Sequence, residues 1–350
     1  MLTKLSRRQV LAGTVAGSAL ALASLSPAFA QVDSIVVTSY GGIWEIAIRD
    51  LFVADYEART GGTAEIQIGG PPQWMSQIEA SIDNPPIDVL VNTIDLALVA
   101  GRTGLVEKIE PSKLTNLKNI PDRFVESVQG WGVIFDYGAA GIAYHRERVA
   151  NPPSSIKAMI EGALAGEYVL SLPSISYAPT PQMLIWSLAD ALGGSVDNVD
   201  PAFEALKQLQ EANAVIFYGG ATEFLNHLES GEAELGIYWD GRTWAHYSTG
   251  AEWIGFINPD EGAVMNPVVV QKVVNSPDTA WEYINSVLAP GPQLKFAEMV
   301  QYGVTNSEVV YPDWLKERIT PWEETRWPPF EEIGAAIPVW VDRWNREIGA

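Results

Sequence analysis

An α/β fold on a largely parallel sheet, arranged as two domains, is the architecture this sequence predicts. Short β-branched runs alternate with stretches of helical periodicity, and glycine-rich turns join them. A length of 350 residues corresponds to two domains at roughly 100–200 residues each. A hydrophobic share of 47% against 19% charged residues is enough to fill large cores and is unlike a disordered chain.

Residues 34–39 form a β-branched run ending at Tyr40-Gly41-Gly42, after which Trp44, Ala47, Ile48, Leu51, Phe52 and Tyr56 recur at helical spacing until Thr60-Gly61. This is a strand, a glycine turn and an amphipathic helix with a glycine stop. The pattern repeats through 64–68, the turn Gly69-Gly70-Pro71-Pro72, and a helix carrying Met75, Ile78 and Ile82, and then 87–91 with a short helix. Periodicity lapses over 111–132. Residues 131–144 then give a long β-branched and aromatic stretch around Gly138-Ala139-Ala140-Gly141, long enough to cross between domains. A second α/β block spans 155–260, with strands at 168–171 and 233–239 and helices near 182–192, 201–210 and 221–230. Another strand is expected at 266–274, and a Pro- and Trp-rich tail ends in an acidic helix.

The first 30 residues belong to an address and not to the fold. Lys4, Arg7 and Arg8 precede an apolar run from Val10 to Leu25, and Ala28 and Ala30 suit signal peptidase, so cleavage is expected before Gln31. The run is short and interrupted by Gly13 and Gly17, unlike a membrane anchor. Ser6-Arg7-Arg8-Gln9-Val10-Leu11 resembles a twin-arginine export signal, with the Sec route as the alternative. Periplasmic localisation follows.

Charge and composition exclude several function classes. The 43 acidic and 22 basic residues give a net charge of −21, which becomes −24 without the leader. Such a surface repels phosphate backbones and anionic lipid, so no nucleic-acid or membrane-surface partner is expected. Cysteine is absent, which removes thiol nucleophiles, thiolate metal sites, disulfides and a lipid-anchored cysteine. The only histidines, His145, His227 and His246, form no helical metal pair, so neither metal nor other cofactor is expected. Without a nucleophile elbow, a Walker loop or a dinucleotide fingerprint, a ligand-binding protein is favoured over an enzyme.

Three turns carry candidate ligand contacts. At Tyr40-Gly41-Gly42-Ile43-Trp44 a strand feeds a helix, and glycines let a ligand approach the backbone. At Asn92-Thr93-Ile94-Asp95 another strand ends, where Thr93 or Asp95 serves equally well as a helix N-cap. The densest cluster is Tyr238-Trp239-Asp240-Gly241-Arg242-Thr243-Trp244. There Trp239 offers a flat apolar wall, and the planar fork of Arg242 matches a carboxylate or phosphate. The competing expectation pairs Arg242 with Asp240 or Asp136 as a structural ion pair.

Together with the export signal, Ser39-Tyr40-Gly41-Gly42, Ile87-Asp88-Val89-Leu90, Gly104-Leu105-Val106-Glu107, Gly236-Ile237-Tyr238-Trp239-Asp240-Gly241, Pro259-Asp260-Glu261-Gly262 and Tyr302-Gly303-Val304-Thr305-Asn306 resemble the spermidine/putrescine-type periplasmic binding proteins of ABC transporters. The resemblance implies a two-lobed type II fold with crossover strands near 138–141 and 262–268 and a ligand cleft between lobes. It implies a first lobe of 31–138 plus about 265–307 and a second of about 139–264 plus about 308–350. It also implies a monomer that captures a small molecule and delivers it to an inner-membrane permease, with Tyr40, Thr93, Asp95, Trp239 and Tyr302 lining the cleft.

Departures from that family are as informative. Where polyamine binders look to carry a Trp and an Asp after Gly262, this chain has Val264 and Asn266, and the acidic positions after residue 171 read Ser174-Ile175-Ser176-Tyr177-Ala178-Pro179-Thr180. In their place stands Arg242, which calls for an anionic partner. The expected ligand is therefore a small carboxylate or amino acid, such as a γ-amino acid with its amine near Asp95. The alternatives are a polyamine and, from another class, a secreted enzyme with Asp240 or Asp136 as base.

Overall fold

The computed structural model describes residues 34–349, and the expected leader lies outside them. Among the described residues ten strands are formed: β1 (Ile35–Ser39), β2 (Ala64–Ile68), β3 (Val89–Thr93), β4 (Val133–His145), β5 (Leu170–Pro173), β6 (Val215–Tyr218), β7 (Leu235–Trp239), β8 (Ile254–Ile257), β9 (Val264–Lys272) and β10 (Gly303–Val304). They run in the order β2-β1-β3-β9-β4-β7-β5-β6, with β8 and β10 also paired to β4.

The outer pairs β1–β2, β1–β3, β5–β6 and β5–β7 are parallel, as strand–helix alternation predicts. The middle is antiparallel. β9 runs against both β3 and β4, and β4 runs against β7, β8 and β10. This corrects the expectation of a largely parallel sheet. Residue spacing marks a strand but does not give its direction, and the two long central strands return across the molecule.

Two cores lie on either side of that middle. Phe52, Phe135 and Phe296 meet in the first, with ring centroids 5.2–5.9 Å apart. Phe203, Leu206, Phe224, Trp340 and Trp344 fill the second. Each fully buried Phe in such a cluster contributes about 1.5–3 kcal/mol by leaving water. β4 supplies Val133 and Phe135 to the first core and Ile142 and Ala143 to the second, so it spans two α/β lobes. The tail divides between them: Leu315, Ile319 and Phe330 join the first core, and Ile333, Trp340 and Trp344 the second.

The helix after β1 runs as Ile43–Ala47, a π-helical stretch Ile48–Val53 and Ala54–Thr60, with Ile48, Phe52 and Tyr56 buried. It stops at Gly61, which takes φ 72°. Helices Ile156–Leu164, Thr279–Val287 and Pro290–Val300, strands β6 and β8, and the helix Asp240–Ser248 are among the elements the periodicity leaves unassigned. Among the described residues no helix is long and apolar enough to cross a membrane.

Candidate ligand-binding site

A cavity of about 390 Å³ opens between the lobes, lined by Gly41, Gly42 and Trp44 of the first and by Thr222, Leu225, Tyr238, Arg242 and His246 of the second, with Tyr302 beside the crossover. Another depression, of about 510 Å³ around Arg148, Tyr168 and Glu234, is lined by residues of the second lobe alone. Only the first has the two-sided wall that a closing cleft requires.

On the first lobe the chain leaves β1 through Gly42 at φ 72° and ψ −136°, a backbone conformation suited to glycine. Trp44 packs edge-on against Phe296 at 5.1 Å and against Tyr40 at 5.2 Å. Burial, then Asp136 and Asp95, hold the Tyr40 phenol well above its ordinary pKa, so its hydroxyl is a neutral donor. Thr93 occupies the N-cap of the helix Ile94–Arg102 without a side-chain cap bond. Asp95 lies half-buried in that helix's first turn.

On the second lobe, β7 ends at Trp239 and the helix Asp240–Ser248 begins at once, placing Arg242 one turn beyond Trp239 on the same side. Arg242 is exposed, lines the cavity and has no carboxylate within ion-pair distance among the described residues. The expected ion pair with Asp240 or Asp136 is not made. Burial lowers the guanidinium pKa, but the phenols of Tyr302, Tyr238 and Tyr177 outweigh it, and the net direction is upward.

The carboxyl of Asp240, expected to meet ligand, is spent on the backbone. It is 1% exposed, and its Oδ1 accepts from the N–H of Ala139 at 2.9 Å and of Gly241 at 2.7 Å. Burial raises it to about 6 against the pull of those N–H groups. Trp239, expected as a ligand wall, is 4% exposed, belongs to the second core, and donates its indole N–H to the Tyr177 hydroxyl at 2.9 Å.

Tyr302 sits where the crossover meets this helix. A Cβ added to Gly138 would lie 2.6 Å from its ring, and one added to Gly241 2.4 Å, so the ring rests directly on two glycine backbones. Asn266 pairs with Gly138 across β4 and β9 and is half-buried. Of the expected residues the cavity thus gathers Gly41, Gly42, Trp44, Arg242 and Tyr302. Tyr40, Thr93, Asp95, Trp239, Asp240 and Asn266 do not line it.

Thr222, Leu225 and His246 were not expected there. A signal for the first two does exist: Tyr218-Gly219-Gly220 repeats Tyr40-Gly41-Gly42, and each turn feeds a helix whose first residues face the cleft.

A two-lobed α/β receptor with a ligand cleft at a two-strand crossover is the architecture of the solute-binding proteins that serve ABC transporters. The chain belongs to the bacterial extracellular solute-binding protein family, whose model matches residues 52–320. It is 23% identical over 266 residues to the spermidine/putrescine-binding periplasmic protein of Escherichia coli (strain K12), covering 70% of this chain and 72% of that one. Among solved structures, an extracellular solute-binding protein from Bordetella parapertussis superposes with a TM-score of 0.82 at 24% identity, over 90% of this chain and 99% of that one. The Atu4243-GABA receptor gives 0.74 at 20% identity, over 89% and 96%. Family membership makes the chain a periplasmic transport protein that binds a small solute and works with a permease.

Proposed function

We propose that this protein captures a small carboxylate-bearing solute, of the amino-acid type, with the carboxylate held by Arg242. The observation that carries this is the Arg242 guanidinium, which lines the cleft cavity without any carboxylate partner among the described residues. A cationic ligand would meet this unopposed positive charge, and the positions that carry acids in polyamine binders are neutral here. The Atu4243-GABA receptor shares the fold, and GABA is a γ-amino acid of the expected class.

The lobes are proposed as 31–138 plus about 265–307 and about 139–264 plus about 308–350, closing around the ligand as a monomer, with no nucleic acid and no chemical step. A serine–histidine pair among the described residues is closed off from the cleft. Ser171 Oγ lies 2.9 Å from His227 Nδ1, but Ser171 is fully buried and beyond reach of a substrate.

Calorimetry with 4-aminobutyrate, glutamate, succinate and putrescine tests the reading. Arg242→Ala should weaken a bound carboxylate by at least about tenfold, since roughly 1.4 kcal/mol is a factor of ten, and Arg242→Lys should restore little because the planar fork is lost. Tight putrescine binding that ignores Arg242→Ala would return the protein to the polyamine class.

A further inference from the structure

The second lobe holds a polar group that neither the turn motifs nor the cavity lining brings out. Trp239 Nε1 is a donor only, so at 2.9 Å the Tyr177 oxygen must be the acceptor. That bond fixes where the phenol proton is not. The Tyr177 O–H donates to no acceptor among the described residues, and the side chain is half-buried. Arg242 stands one helical turn beyond Trp239, the residue that holds Tyr177, and the Tyr177 phenol is near enough to the guanidinium to act on it electrostatically. The Tyr177 ring is fixed from behind by Tyr218, at 5.6 Å between centroids, and Tyr218 is locked by its own bond to the Ile237 carbonyl at 2.8 Å.

We propose that Tyr177, oriented by Trp239, is the second arm of a donor-only clamp that takes the ligand's carboxylate together with Arg242. This rests on the reading of Arg242 as the anion site and adds what that residue alone does not supply: discrimination between a carboxylate and its amide. A lone guanidinium donates to the carbonyl oxygen of either. A clamp whose second arm can only donate leaves a carboxamide N–H₂ facing a donor, with nothing to accept it. Trp239 acts here as a positioning residue, since it occupies the acceptor side of Tyr177 and never meets the ligand.

The experiment measures Kd for 4-aminobutyrate, glutamate and succinate, and for 4-aminobutyramide and glutamine, on the full mature chain and on Tyr177→Phe, Trp239→Phe and Arg242→Ala. Tyr177→Phe keeps the ring packing and should weaken the best carboxylate by about fivefold to thirtyfold, the range expected of one charge-assisted bond. It should leave the amide nearly unchanged, so that the carboxylate-to-amide ratio collapses. Trp239→Phe should lower the same ratio, and in the Tyr177→Phe background should lower it no further. A merely structural role for Tyr177 would weaken acid and amide alike, which overturns the proposal. Sensitivity to Arg242→Ala with none to Tyr177→Phe also overturns it while sparing the anion site. If none of the carboxylates binds the wild type, the anion site itself falls.

Discussion

Two buried acids with opposite circumstances sit at the crossover, and their pH behaviour can be separated residue by residue. Asp240 is satisfied by two N–H groups, whereas neither oxygen of Asp136 has a partner among the described residues. Burial, then the proximity of Asp240, push the Asp136 carboxyl well above its ordinary value. A carboxyl whose pKa is raised on folding contributes stability that is full below its unfolded pKa and is lost as pH rises through the folded one. For Asp240 the window runs from 3.8 to about 6. The loss across it is about 3 kcal/mol at roughly 1.4 kcal/mol per unit. Urea unfolding at pH 4.5, 6 and 7.5 should show stability falling over that window. Asp136→Asn, which removes the second buried carboxyl whose ionisation opposes folding, should flatten the fall. An unchanged slope in this variant would show that Asp136 and Asp240 do not titrate against each other.

Glycine positions at the same scale make a steric prediction. Gly241→Ala would drive a methyl group to 2.4 Å from the Tyr302 ring and 2.7 Å from the Gln301 carbonyl, and the carbonyl belongs to backbone that cannot rotate away. A loss of about 1–3 kcal/mol in stability is expected, with weaker ligand binding because Tyr302 lines the cavity. Thermal unfolding beside calorimetry measures both.

Among elements, the junction of β4 with the helix Asp240–Ser248 holds the cleft in register. Asp240 bonds the first residue beyond the glycine of the crossover to the first turn of the helix that carries Arg242. Asp240→Ala would orphan two buried N–H groups, at about 1–3 kcal/mol each, whereas Asp240→Asn keeps an acceptor and should lose markedly less. Chemical denaturation of the two variants compares them.

Legibility was also uneven at this scale. Elements with a clear period and a glycine stop, such as the helix after β1 and the strand 64–68, stood out, because their apolar positions face a core on one side only. Helix Thr279–Val287 is buried over much of its circumference, and helix Pro290–Val300 opens on Pro290-Gly291-Pro292, a turn-like start that masks its buried stripe of Gln293, Phe296, Ala297 and Val300. At the site, Arg242, Trp44 and Tyr302 could be picked out as aromatic or charged residues at strand ends. Tyr177 could not, because its role depends on a hydrogen bond to a residue 62 positions away. Asp240 misled for a related reason, since its burial depends on β4.

For the whole molecule, closure should be visible in fluorescence. Trp44 is half-buried on the cavity wall, whereas Trp74 and Trp281 are at most 1% exposed. A saturating carboxylate should therefore shift emission in the wild type. In Trp44→Phe most of that shift should vanish while affinity changes little relative to Arg242→Ala, and small-angle scattering should report a smaller radius on binding. An unaltered shift in Trp44→Phe would mean that the reporter lies elsewhere.

The place of β9 in the sheet has a consequence for how the chain is made. It is the ninth strand in order of synthesis, yet it lies between β3 and β4 and pairs with both. Until residue 272 has emerged, β3 and the first half of β4 present bare hydrogen-bonding edges to any neighbour, while the second lobe already has β5, β6 and β7 to pair among themselves. A nascent chain of that length therefore has its second-lobe strands paired before its first-lobe strands, the reverse of N-to-C order, while the second core still awaits Ile333, Trp340 and Trp344. Until β9 arrives those open edges are the surfaces on which a nascent or refolding chain is most exposed to mispairing.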